Sequence, residues 1–257
     1  MSASTDSSSE TDALVARSDT DGIATLSLNR PDSLNALSPQ LFVELRAHID
    51  ALKSAGDDTG VVIIRGNGRS FSAGNDLNAI QQGEKAPYAH FQAETLELIE
   101  ALPQVVIMSV RGHCYTGALE LALAGDLLIC ADDVRFCDTH GKWAMVPTWG
   151  MNTRLPERVG TLAARAMMFS GQVVDGPEAV RIGLANRSVD AGLLDEATQE
   201  WASQIATNSW HTLREEKRIM RQLGEMGRDE GIGWDRNNSP GVGADMAERI
   251  AAGFGKK

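Results

Sequence analysis

Arg111-Gly112-His113-Cys114-Tyr115-Thr116-Gly117-Ala118-Leu119-Glu120-Leu121-Ala122 follows directly on the apolar run Val105-Val106-Ile107-Met108-Ser109-Val110. The junction reads as a buried strand turning into a helix, with a glycine three residues before a carboxylate. At that spacing the Gly117 N–H and the Glu120 carboxyl can be aimed at one carbonyl, the first as a donor and the second as an acid or base. Gly117 has no side chain, so its backbone can approach a ligand closely. Glu120 sits among Leu119, Leu121, Ala122 and Leu123, an environment that penalises the charged form and lifts a carboxyl pKa. The plainer alternatives are a turn glycine and a glutamate that caps or pairs with a nearby base.

Some forty residues earlier, a second apolar run, Val61-Val62-Ile63-Ile64, leads into Phe71-Ser72-Ala73-Gly74-Asn75-Asp76-Leu77, which offers another loop amide at Asn75. Two converging N–H donors make an oxyanion hole, which stabilises charge developing on a carbonyl oxygen. Residues 126–131 form a third such run. Short apolar runs separated by helical segments imply parallel strands with crossover helices, an α/β chain.

Other elements follow from local pattern. Ala24, Leu26 and Leu28 alternate with Ile23, Thr25 and Ser27, the period of a half-buried strand. Ser38-Pro39 supplies a cap and a first-turn proline, after which Leu41, Leu45, Ile49 and Leu52 recur at helical spacing. Beyond Gly160 the pattern is helical over residues 162–169, 177–182, 193–207 and 212–223. Residues 224–243, rich in glycine and containing Asn237-Asn238-Ser239-Pro240, read as a loop before a short helix at 244–252. No internal repeat or domain linker is evident.

The segments FSAGNDL (residues 71–77) and GHCYTGALELAL (residues 112–123) resemble the two signatures of the crotonase, or enoyl-CoA hydratase/isomerase, family. Those signatures read roughly F-[SA]-A-G-x-D-[LI] and G-x-[AT]-x-G-G-[GA]-x-E-[LM]-[AL]. Residues 28–37 and 154–160 are also similar to the family, and the resemblance runs from about Gly22 to Ser209. It implies a crotonase-like ββα spiral core over residues 13–200 and a C-terminal helical region over 201–257 that forms trimers, which often pair into hexamers. It implies an acyl-CoA thioester substrate, with the CoA portion near Ala36, Ala73 and Leu77, and no cofactor besides the CoA that the substrate carries. The Asn75 and Gly117 amides become the oxyanion pair and Glu120 one of two acid/base groups.

The second acid/base group of the family is a glutamate in a pattern like F-x-x-P-E-x-x-x-G-x-x-P-G-x-G-G. Counting back from Pro147, His140 stands in its place. A histidine has an unperturbed pKa near 6.5, so it can share proton transfer with Glu120, or simply pack and hydrogen-bond. Thr148 replaces a glycine that helps to hold the reacting water in relatives. Trp143 and Trp149 bring bulk to the same segment, either as walls of an acyl pocket or as core or interface tryptophans. Hydration of a 2-enoyl-CoA is the leading reaction. The alternatives are double-bond isomerisation, carbon–carbon bond hydrolysis on the same fold, and acyl-CoA binding without turnover.

Composition bounds the rest. The chain has 257 residues with 42% hydrophobic content, enough for a sizeable core. Its formal charge of −11, from 35 acidic against 24 basic residues, argues against a nucleic-acid partner. An anionic group would need a few well-placed arginines, with Arg30, Arg65 and Arg69 as candidates. Residues 1–12 lack an apolar face and read as a mobile tail without the pattern of a secretory signal. No apolar run reaches the roughly 18 to 20 residues of a membrane helix, so a cytoplasmic protein with no membrane partner is expected. Cys114, Cys130 and Cys137 lie in apolar runs and read as reduced, buried thiols. The histidines have no ligand spacing between them, so no metal site is expected, and His113 reads as a packed ring. Gly66-Asn67-Gly68 begins like a dinucleotide fingerprint but lacks its third glycine.

Overall fold

A computed structural model describes residues 13–56, 58–224 and 226–254, so the tail expected at 1–12 lies outside the described residues. Strands β1 (Val15–Thr20) and β2 (Ile23–Leu28) form an antiparallel hairpin. Its turn, Asp21-Gly22, has positive φ at both positions (51° and 75°), the twist that a two-residue hairpin requires. The chain continues through α1 (Pro39–Ser54), β3 (Val61–Gly66), α2 (Leu77–Gln81) and α3 (Phe91–Glu100) to β4 (Val105–Val110). Then come β5 (His113–Tyr115), α4 (Gly117–Leu123), β6 (Leu127–Ala131) and β7 (Arg135–Cys137). Beyond a 3-10 turn at His140–Trp143 lie α5 (Met151–Ser170), α6 (Gly176–Arg181) and β8 (Arg187–Val189), followed by α7 (Leu194–Ala206), α8 (Trp210–Leu223), α9 (Arg228–Asn238) and α10 (Met246–Phe254).

The main sheet has the order β1-β2-β3-β4-β6-β8 and is parallel from β2 onward. Its register aligns Ile23 with Val61 and Val61 with Val105. One face, with Leu26, Val62, Ile64, Val106 and Met108, packs in the large core with Leu41, Leu45, Ile49 and Leu52 of α1. Each such leucine or isoleucine contributes about 2 kcal/mol by leaving water. The α1 start is as the sequence predicts: Ser38 Oγ accepts from the Leu41 N–H at 3.1 Å, and Pro39 fills the first turn.

Two expectations need correction. β2 is buried on both faces, including Ile23 and Ser27, because Leu194, Trp201 and Ala202 of α7 pack on the second face, where Ile23 clusters with Val61, Ile63 and Ile107 of the neighbouring strands. The alternation within β2 was therefore not a wet face against a dry one. The expected loop at 224–243 contains helix α9. There Asp229 and Glu230 favour the helix N-terminus, Gly231 is buried close to Leu223, and the Arg218 guanidinium lies over the Trp234 ring at 6.0 Å. These contacts outweigh the low helix propensity of glycine.

A second, two-stranded sheet pairs β5 with β7 in parallel, aligning Tyr115 with Cys137. It carries the helix α4 on one strand and the 3-10 turn on the other. Among the described residues no helix is long and apolar enough to cross a membrane.

Candidate active site

The loops after β3 and β4 run side by side. Phe71 N–H donates to Arg111 O, Ser72 N–H to His113 O, and Tyr115 N–H back to Ser72 O, at 2.8, 2.9 and 3.3 Å. On the other flank, Ala73 N–H donates to Leu34 O, Leu37 N–H to Gly74 O, and Asp76 N–H to Leu37 O. Gly74 has φ +97°, and a Cβ there would lie 2.6 Å from Tyr115 O. Only glycine lets the strands come this close. Leu37 and Asn75 are thereby paired in parallel through the Leu37 and Asp76 amides. The N–H of Asn75 has no hydrogen-bond partner among the described residues, and neither has that of Gly117.

Thr116 turns the chain into α4 with φ 55° and ψ −112°, a conformation that costs a non-glycine residue about 1–3 kcal/mol. The family pattern has glycine here. The Thr116 N–H donates to Cys137 O at 2.9 Å and its hydroxyl bonds that of Thr139 at 2.6 Å, so both anchors lie on or just beyond β7.

Glu120, in the first turn of α4, is 1% exposed. Its Oε1 accepts from the main-chain N–H groups of Trp149 (2.9 Å) and Met151 (3.1 Å). Met151 is the first residue of α5, so a helix N-terminus faces the carboxylate. Burial nevertheless pushes the Glu120 carboxyl above its ordinary value, against the Met151 N–H, the His140 ring and the Trp149 N–H, which pull it down. Its second oxygen, Oε2, lies 3.7 Å from His140 Nε2. His140 is buried, and its other nitrogen, Nδ1, is 2.6 Å from Asp138 Oδ1.

Trp149 is held from several sides. Its ring meets Phe42 edge-on at 5.1 Å between centroids and covers Gly117, where a Cβ would come within 2.6 Å of it. Arg154 donates to the Trp149 carbonyl while its Nε and Nη2 engage the Glu100 carboxylate at 2.6 Å each. Gly150, at φ +108°, leaves room for that guanidinium.

The structure thus brings Glu120, His140, Gly117 and Trp149 together, with Asn75 on the adjoining loop. Ala36 and Ala73 lie on the neighbouring segments joined by the Leu37–Gly74 bond, and Leu77 opens α2 at the surface. Trp143 is 60% exposed on the 3-10 turn, with no ring contact among the described residues. Of the candidate arginines, Arg30 pairs with Asp76 at 2.7 Å and Arg65 with Asp195 at 3.4 Å. His113 packs edge-on against Tyr115 and bonds Ser70 Oγ at 2.9 Å through Nδ1. The sequence reading missed Asp138, the Trp149 and Met151 amides, and the Arg154–Glu100 support. Only Asp138 left a local signal, the Asp-x-His spacing of a side chain that bonds the backbone two residues on.

The parallel sheet, its small companion and the two strand-to-helix junctions define a crotonase-type fold. A crystal structure of enoyl-CoA hydratase from Bacillus anthracis superposes with a TM-score of 0.88 at 28% identity, covering 95% of this chain and 97% of that one. The chain belongs to the enoyl-CoA hydratase/isomerase family, whose model matches residues 18–240, and it is an enzyme of that type. It is 31% identical over 187 residues to "Probable enoyl-CoA hydratase 1, peroxisomal" of Arabidopsis thaliana, covering 73% of this chain and 70% of that protein. It is 38% identical over 176 residues to a carnitinyl-CoA dehydratase of Proteus mirabilis (strain HI4320), covering 66% and 67%.

Proposed function

We propose that the protein hydrates a 2-enoyl-CoA to a 3-hydroxyacyl-CoA through a thioester enolate. The observation that carries this reading is the buried Glu120 carboxyl facing His140 Nε2 across 3.7 Å. The main-chain N–H groups of Asn75 and Gly117, without partners among the described residues, supply the hole. The thioester oxygen accepts both N–H bonds, which strengthen as charge develops there. His140 takes a proton from water as the water oxygen adds to Cβ. The Cα=Cβ electrons move into the enolate, and Glu120, whose burial favours the protonated form, delivers its proton to Cα. The imidazolium then returns a proton to Glu120, so both groups begin the next turnover unchanged.

On this reading CoA lies along Ala36, Ala73 and Leu77, and Trp149 walls the acyl group, with Trp143 at the mouth. The CoA comes with the substrate and no other cofactor takes part. Homotrimers, alone or in pairs, form the assembly. Leu162, Phe169 and Met220, exposed at 83%, 82% and 67%, support such burial between subunits. Three free, buried thiols suit the reducing cytoplasm.

The test is conversion of crotonyl-CoA and of a 3-enoyl-CoA by the purified protein and by Glu120→Gln and His140→Ala. Hydration by the wild type and losses of roughly 10²- to 10⁴-fold in both variants are expected. Conversion of the 3-enoyl-CoA alone, lost only in Glu120→Gln, would make it an isomerase. Tight binding with no conversion would leave an acyl-CoA binding protein.

A further inference from the structure

Asp138 lies just beyond β7, is 2% exposed, and directs one oxygen at a single neighbour. Oδ1 accepts from the main-chain N–H of His140 at 3.0 Å and meets its Nδ1 at 2.6 Å. A carboxylate can only accept, so Nδ1 must carry the hydrogen of that short bond. In a neutral ring this leaves the lone pair on Nε2, the atom that faces Glu120 Oε2. The 3.7 Å gap is too long for a direct hydrogen bond, and both atoms can address one water molecule. Thr139, between the two residues, is itself fixed by Thr116 Oγ1 at 2.6 Å, which ties the acidic and imidazole pair to the strand-to-helix turn at Gly117. Among the described residues the charged partners within 4.0 Å of the ring nitrogens are Asp138 from its own segment and Glu120 from α4.

We propose that Asp138 is a positioning residue that holds His140 in the Nδ1–H tautomer, so that Nε2 is the atom that exchanges protons with the reacting water. The inference deepens the hydratase reading and rests on it for its kinetic consequence. Asp138 touches no substrate; it acts through the ring. The sequence Asp138-Thr139-His140 thus replaces a single carboxylate by a two-residue base whose orientation is set from behind.

Two measurements on the full-length protein test this. In protein labelled with ¹⁵N at histidine, with the His140 signals identified by their loss in His140→Gln, a protonated Nδ1 and an unprotonated Nε2 are expected for the neutral ring. A neutral ring protonated at Nε2 would overturn the proposal, whether or not any thioester is converted. In kinetics, Asp138→Asn should lower kcat on crotonyl-CoA roughly 10²-fold with KM changed less than about threefold and an altered pH profile. The double variant Asp138→Asn/His140→Gln should be no slower than His140→Gln alone, because residues acting as a unit are not additive. Undiminished kcat in Asp138→Asn, or losses that multiply in the double variant, would refute the positioning role. If the wild type converts no enoyl-CoA, the hydratase reading falls and the tautomer measurement alone decides the role of Asp138.

Discussion

Replacing Asn35 by alanine should destabilise the protein by about 4–7 kcal/mol and loosen the loop that presents the Asn75 amide. Asn35 is fully buried with φ 52°. Its Oδ1 accepts from Arg30 N–H at 2.8 Å, and its Nδ2 donates to Asn67 O at 2.9 Å and to Ser70 O at 2.8 Å. Ser70 O is left buried and unpaired by the change, at about 1–3 kcal/mol. The other two groups are partly accessible and lose about 1 kcal/mol each. Alanine in the left-handed region adds roughly 1–2 kcal/mol. The urea midpoint, read with the slope m unchanged, gives the loss. Residual folded enzyme should turn over more slowly, since Leu34 and Leu37 on the Asn35 segment hold Ala73 and Gly74. A loss below about 1 kcal/mol would refute the claim that this side chain binds the two segments together.

Three further outcomes are expected. Glu120→Gln should gain stability over the wild type at neutral pH and not below about pH 4.5, the ordinary value from which burial raises this carboxyl. The raised native pKa means that the folded state binds the proton more tightly, so wild-type stability falls as pH rises above that of the unfolded carboxyl; equal melting temperatures for the two proteins at pH 4 and 7 would contradict this. Gly74→Ala, which sets a Cβ 2.6 Å from Tyr115 O, should cost about 1–3 kcal/mol and reduce kcat, with wild-type values in denaturation and turnover speaking against a close approach. Burial pushes the Cys130 thiol up to about 12 and Cys114 well above the ordinary value, so a disulfide reagent should label them only on unfolding; rapid labelling of the native protein would show otherwise.

Local chemistry was the part of this chain that could be read in advance. The Ser38-Pro39 start of α1 and the apolar runs of β3 and β4 are written in adjacent residues, and the site helix follows from Gly117 and Glu120 alone. His140 was legible by counting along the segment. What escaped depends on distant chain: the Trp149 and Met151 amides reach Glu120 across 29 and 31 residues. The second buried face of β2 exists only because α7 returns to it. β1 was missed because Arg17, Ser18, Asp19 and Thr20 give a polar edge strand with little apolar alternation, and α9 because its glycines were weighed without Trp234 and Arg218.

The small sheet of β5 and β7 also sets which parts of the site move together. One strand delivers the Gly117 amide, the other the residue at position 140, and the Thr116 N–H to Cys137 O bond fixes their spacing. On the proposed roles, the Gly117 amide and Glu120 therefore hang from one strand of this ladder and the His140 ring from the other. A different side chain at position 140 leaves the backbone bond that spaces the two strands untouched, so on this reading the second acid/base group can change while Glu120 and the Gly117 amide stay in place.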